Sequence, residues 1–211
     1  MKTRVLIPAF AACLAFTAAH AVEFQRWKTA DGVTITLVER HELPIVNMQI
    51  TFKGAGRVAE HKPDLAAFTA TMLPSGTEKY GEEALRDESN RIGVTVSTVA
   101  GPENTTVSFA SLSRRQNLSD GLKLANQIIA RPKFDPAVLI RTKGQALTSL
   151  KQSLSDPGFL AGRAVTLLNY GSHPYANSAR SSEESINGIT LEDLSQFHRS
   201  HYAKNNAYVA I

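Results

Sequence analysis

Cysteine is almost missing: the single one in 211 residues, Cys13, stands inside an N-terminal apolar run. Once that run is removed, the chain has no thiol, which excludes disulfides and cysteine metal ligands. Tryptophan is as scarce, with one residue, and aromatics make up only 7% of the chain. Basic residues are scattered rather than clustered between aromatics, so nucleic acid is not an expected partner despite a formal charge of +4. Beyond the N terminus no stretch approaches the roughly 20 apolar residues that a membrane-crossing helix needs. Low-complexity tracts, short-period repeats and long linkers are absent too.

The start of the chain reads as a secretory leader. Lys2 and Arg4 precede an apolar run at residues 5–19, which closes on Ala19-His20-Ala21. A basic start, a short apolar middle and a small-x-small end predict a signal peptide over residues 1–21, cut after Ala21. The processed chain, 22–211, is expected in the periplasm and away from the membrane. It must hold together by its core alone, and 43% hydrophobic composition over this length suffices for one domain.

Alternating patterns predict strands near residues 24–27, 33–38 and 45–52, with Asp31-Gly32 as a hairpin turn between the first two. Helices are expected over 64–73 and 82–92, the second stopped by Gly93. An antiparallel pair follows at 94–99 and 105–110, then helices over 116–130, 136–154 and 158–169. Thr190 with Asp193 three residues later reads as a capping box. An apolar strand over 207–211 closes the chain. Strands, paired helices, strands, helices and a last strand predict an α+β domain, an antiparallel sheet with helices packed against it.

Several segments in this order resemble the amino-terminal domain of the pitrilysin and insulinase metallopeptidases. They are Leu65 to Leu73 with Gly76-Thr77-Glu78-Lys79-Tyr80, Arg131 to Asp135, Tyr170 to Tyr175, and Ser185 to Thr190. The resemblance implies a LuxS/insulinase-like half spanning nearly all of 22–211. In active members the first segment is a helix carrying H-x-x-E-H. Two histidines at i and i+4 reach one Zn²⁺, the glutamate between them takes a proton from its water, and a later glutamate completes the site.

Laid on that motif, Ala67 and Thr71 take the histidine positions and Ala70 that of the general base. The third ligand falls near Leu147, Thr148 or Ser149, and no carboxylate lies between Asp135 and Asp156. The resemblance therefore implies a member with no catalytic residue, no metal ligand and no bound cofactor, where active members carry zinc. Substitutes are not evident. The six histidines make no H-x-x-E-H, H-E-x-x-H or H-x-H. His198 and His201, spaced i,i+3, read as polar residues at a helix end rather than as a metal pair. The Glu82/Glu83 and Glu183/Glu184 pairs put their carboxylates on different helix faces and read as solvated surface. Serine lacks a G-x-S-x-G frame, and Gly54-Ala55-Gly56 lacks the third glycine of a dinucleotide loop.

Family members consist of two such halves around a chamber, and in two-subunit members a zinc-less partner helps to bind substrate. The expectation is a non-catalytic subunit of a heterodimer that holds a peptide or unfolded polypeptide beside an active zinc-bearing homologue. Two other readings stand beside it. One is an active zinc-dependent metalloendopeptidase with unrecognised ligands, and the other a periplasmic peptide-binding or scaffold protein without a peptidase partner. The last strand has no turn after it, so a chain about twice as long, with its second half missing here, is also expected.

Overall fold

A computed structural model describes residues 23–211; the leader and its cleavage after Ala21 lie outside the described residues. Six strands form one sheet: β1 (Phe24–Lys28), β2 (Thr34–Val38), β3 (Ile45–Lys53), β4 (Val94–Ala100), β5 (Asn104–Leu112) and β6 (Ala207–Ala210). Their order is β1-β2-β6-β3-β5-β4. The β1–β2 hairpin turns at Asp31-Gly32 as expected, with Gly32 at φ 88°, where a Cβ would be strained.

The α+β class is as the sequence indicates, with one pairing of a different direction. β6 runs antiparallel to β3 but parallel to β2. The cause is topological: β2 and β3 run in opposite directions with one strand's gap between them, and a strand filling that gap must be parallel to one neighbour. Period-two alternation carries the strand but not its direction.

Among the described residues seven α-helices accompany the sheet: α1 (Leu65–Met72), α2 (Glu82–Ile92), α3 (Arg115–Ala130), α4 (Pro136–Ser153), α5 (Pro157–Tyr170), α6 (Glu183–Asn187) and α7 (Leu191–His201). Alternate residues of the strands, among them Phe52, Val107 and Phe109, face the helices and are buried. One apolar cluster joins α1, α4, α6 and α7, and a second joins α2 and α3 to β4 and β5. Gly93 ends α2 in the left-handed conformation, φ 75°. The capping box forms: the Thr190 hydroxyl accepts from the Asp193 N–H at 3.1 Å, and the Asp193 carboxylate accepts from the Thr190 N–H at 2.8 Å. Ser182 and Ser185 make a second box that starts α6, a helix the sequence pattern does not show. Among the described residues no helix is long and apolar enough to cross a membrane.

Gly56 is the most confined glycine among the described residues. A Cβ there would lie 2.4 Å from the Asn104 nitrogen and 2.5 Å from the Pro102 oxygen, both backbone atoms of the β4–β5 turn. The substitution Gly56→Ala should lower stability by about 3 kcal/mol or prevent folding, since overpacked backbone cannot yield. Gly144→Ala in α4, where nothing lies within 4 Å, should instead add about 0.5–1 kcal/mol through helix propensity. Urea unfolding of the two variants reads both effects.

Candidate functional site

The helix on which the zinc motif would fall is α1, and it is buried on almost every side. Leu65, Ala66, Phe68, Thr69, Ala70 and Met72 are all buried. Of the three positions the resemblance assigns, Ala67 is half-buried, Thr71 is exposed, and Ala70 is 1% exposed. Ala70 also gives its carbonyl oxygen to the Thr98 hydroxyl of β4, which fastens the helix to the sheet's edge strand. A glutamate side chain at Ala70 would have to enter packed core.

The third-ligand window lies on α4, where Leu147 packs against the α1 cluster and Thr148 is exposed. The Thr148 hydroxyl donates to the Gly144 carbonyl at 2.9 Å. The side chain brought towards α1 is thus an alkyl group. Two alanines, a threonine and a leucine offer no imidazole or carboxylate, so the residues present do not fit a zinc ion. Among the described residues no group of three or more His, Cys, Asp or Glu side chains is placed to hold a metal.

His198 and His201 serve packing. The His198 Nε2 is 2.7 Å from the Ile129 carbonyl oxygen, and its ring lies against Tyr202, centroids 5.1 Å apart. His201 stacks on Phe197 at 4.4 Å. Burial pushes both imidazoles below the usual histidine range. Glu82 pairs with Arg141 at 2.5 Å, while Glu83 lies 3.7 Å from Arg86, so the adjacent carboxylates point to different partners. Glu183 and Glu184 are exposed in the first turn of α6. The Tyr170–Tyr175 landmark forms an aromatic cluster in which the Tyr175 hydroxyl donates to Glu103.

Two carboxylates hold the entrance to α1: Glu60, which sequence reasoning missed, and Asp193, which it marked only as a helix cap. Glu60, 7% exposed, accepts the backbone N–H groups of Asp64 and Ala66 at 3.3 and 2.9 Å. It caps a helix whose own N-cap, Asp64, sits in the left-handed region at φ 72° and gives no side-chain cap. Burial raises the Glu60 carboxyl to about 7, with the Ala66 N–H opposing and Asp64 adding to the rise. No motif marks Glu60, because it reaches over Pro63 from outside the capping positions. Asp193 accepts from the Lys62 ammonium at 2.6 Å and lies 3.3 Å from His61 Nε2, so the α7 cap also anchors the approach to α1. Burial works against its charge, yet Lys62, Thr190 and His61 hold the carboxyl well below the usual carboxylate range.

The description "Insulinase (Peptidase family M16)" belongs to the family model that matches residues 38–179, from the end of β2 through α5. The chain belongs to the insulinase family. It is 25% identical over 165 residues to a Helicobacter pylori protein named non-peptidase homolog YmxG, covering 78% of this chain and 38% of that one. It is similar in structure to a peptidase M16 inactive domain from Pseudomonas fluorescens, with 30% identity, a TM-score of 0.85, and coverage of 90% of this chain and 46% of that one. A protease from Helicobacter pylori shares the fold at 15% identity and TM-score 0.77, with the same coverage. The chain spans about half the length, or less, of these relatives.

Two outcomes follow from the packing around α1. Thr71→His should change stability by less than about 0.5 kcal/mol, whereas Ala70→Glu should cost more than about 3 kcal/mol, because it buries an unpaired carboxylate. Equal tolerance of the two in urea unfolding would contradict the closed face. Glu60 predicts a pH signature. Its folded-state value of about 7 lies above the ordinary glutamate value of 4.5, so its contribution is fully present below about 4.5 and is lost as pH rises through 7. The difference between wild type and Glu60→Gln should shift by on the order of 2–3 kcal/mol between pH 4.5 and 8 in favour of the variant at high pH. Parallel stability curves would show an ordinary surface carboxylate.

Proposed function

We propose that this chain is a non-catalytic, zinc-less insulinase-type half that is exported to the periplasm and holds peptide for an active, zinc-bearing homologue. The observation that carries the reading is α1: where the family's motif requires two histidines and a glutamate stand Ala67, Thr71 and Ala70, and Ala70 is enclosed in packed core. The similarity to one protein named a non-peptidase homologue and to another described as an inactive domain supports it.

Holding peptide needs no metal. Among the described residues β4 is an edge of the sheet, paired on one side only, with β5, and it lies directly against α1 through Thr98 and Ala70. An extended segment added to that edge would gain backbone hydrogen bonds, while Thr95, Ser97 and Val99 stay exposed beside it. Such a strand presents a polypeptide next to the helix that in active members carries the chemistry.

The test is a peptidase assay on an unstructured fluorogenic peptide. The purified chain should be inert with or without chelator, and adding a zinc-bearing homologue from the same source should give activity above that of the homologue alone. Chelator-sensitive cleavage by the chain alone would restore the reading of an active zinc endopeptidase. Inertness combined with no effect on any homologue would favour the scaffold reading.

A further inference from the structure

A cavity of about 500 Å³ opens where three parts of the chain meet: the 3-10 turn Arg57–Ala59 after β3, the turn between β4 and β5, and the 3-10 helix Pro174–Arg180 after α5. That volume is in the range of small-ligand sites. Val58, Pro102 and Pro174 give it apolar walls. Tyr170 and Tyr175 form an aromatic corner, their rings inclined at 83° with centroids 5.6 Å apart. One charge of each sign, Arg57 and Glu103, lines it as well.

These two charges share the cavity without neutralising each other. Among the described residues no ion pair includes either of them. The Glu103 carboxylate accepts the Tyr175 hydroxyl, a bond that raises the phenol above the usual tyrosine range and keeps it a donor. The backbone holds the walls in place. The Arg57 N–H donates to the Gly101 carbonyl at 3.1 Å, the Val58 N–H to the Pro102 carbonyl at 2.9 Å, and the Asn177 side-chain amide to the Arg57 carbonyl at 2.9 Å. Gly56 brings the two turns together, because its missing Cβ leaves room for the backbone of residues 102–104. The Tyr175 ring is set by His173, with centroids 4.8 Å apart, and its N–H donates to the His173 Nδ1 at 3.2 Å. Opposite charges fixed in one cavity and left unpaired are matched by a ligand that carries both signs, and such a preformed site spares most of the ordering cost of binding.

We propose that this cavity binds a small zwitterion of the amino-acid or short-peptide type, with its carboxylate on Arg57, its ammonium between Glu103 and the two tyrosine rings, and an apolar side chain against the proline and valine wall. Each contact has its own chemistry. A guanidinium fork fits a carboxylate with two parallel hydrogen bonds. An ammonium gains from a carboxylate and from the faces of aromatic rings together. A simple anion would satisfy Arg57 and leave Glu103 unpaired, and a simple amine would do the reverse. No residue of β4, α1 or α4 lines the cavity, so the site is separate from the sheet edge offered to peptide and stands whether or not that edge is used.

Isothermal titration calorimetry of the purified chain tests the proposal with two probes, L-phenylalanine for a free amino acid and alanyl-phenylalanine for a short peptide. At least one should bind with a Kd below about 1 mM, and the tighter of the two identifies the source. The same molecule with its ammonium acetylated or its carboxylate amidated should bind at least about tenfold more weakly. Arg57→Gln should weaken the free zwitterion at least about tenfold and leave the residual affinity of the amidated form unchanged. Glu103→Gln should do the same and spare the acetylated form. Ser178→Trp, which fills the cavity from its lining, should abolish binding, and it replaces either variant that loses the wild-type circular dichroism. Failure of both probes to bind at about 10 mM, blocked forms that bind as well as the free ones, or affinity that survives the substitutions would overturn the proposal.

Discussion

The burial of α1 is the constraint on which the other features depend. A catalytic zinc helix must present two ligands and a base to a water-bearing cleft, so one of its faces has to stay open. Here six of eight positions are buried; the two that are not, Ala67 and Thr71, carry no ligand, and the position of the base is filled by the Ala70 methyl group in packed core, with the Ala70 carbonyl tied to β4. Leu147 of α4 supplies the matching alkyl surface where a carboxylate would be needed.

A helix so deeply placed needs its ends satisfied without solvent, and the chain does this with carboxylates recruited from outside the helix. Glu60 caps the first turn from below, and Asp193, fixed by the α7 capping box, holds Lys62 on the approach. These groups respond to pH in opposite senses. Burial makes Glu60 easier to protonate, whereas its cationic and hydroxyl partners keep Asp193 ionised far into acid.

Much of this was legible in the sequence because it is local. Alternation located the strands, Gly93 stopped its helix, and Thr190 with Asp193 announced a capping box that forms as written. The family resemblance, carried by short segments in a fixed order, agrees with the match over residues 38–179. Features set by distant parts of the chain were not legible. The parallel β2–β6 pairing depends on a gap that only the folded sheet defines. The Glu60 cap reaches its helix across Pro63.

The deciding property of the molecule is whether α1 and its neighbours can hold a metal. The direct measurement is the zinc content of the chain purified from zinc-sufficient cells, read by elemental mass spectrometry against protein concentration. Far less than one zinc per chain is predicted, unchanged when Ala67 is replaced by serine. A stoichiometric zinc that survives dialysis against a weak chelator would contradict the account, because it would require ligands that neither α1 nor α4 provides.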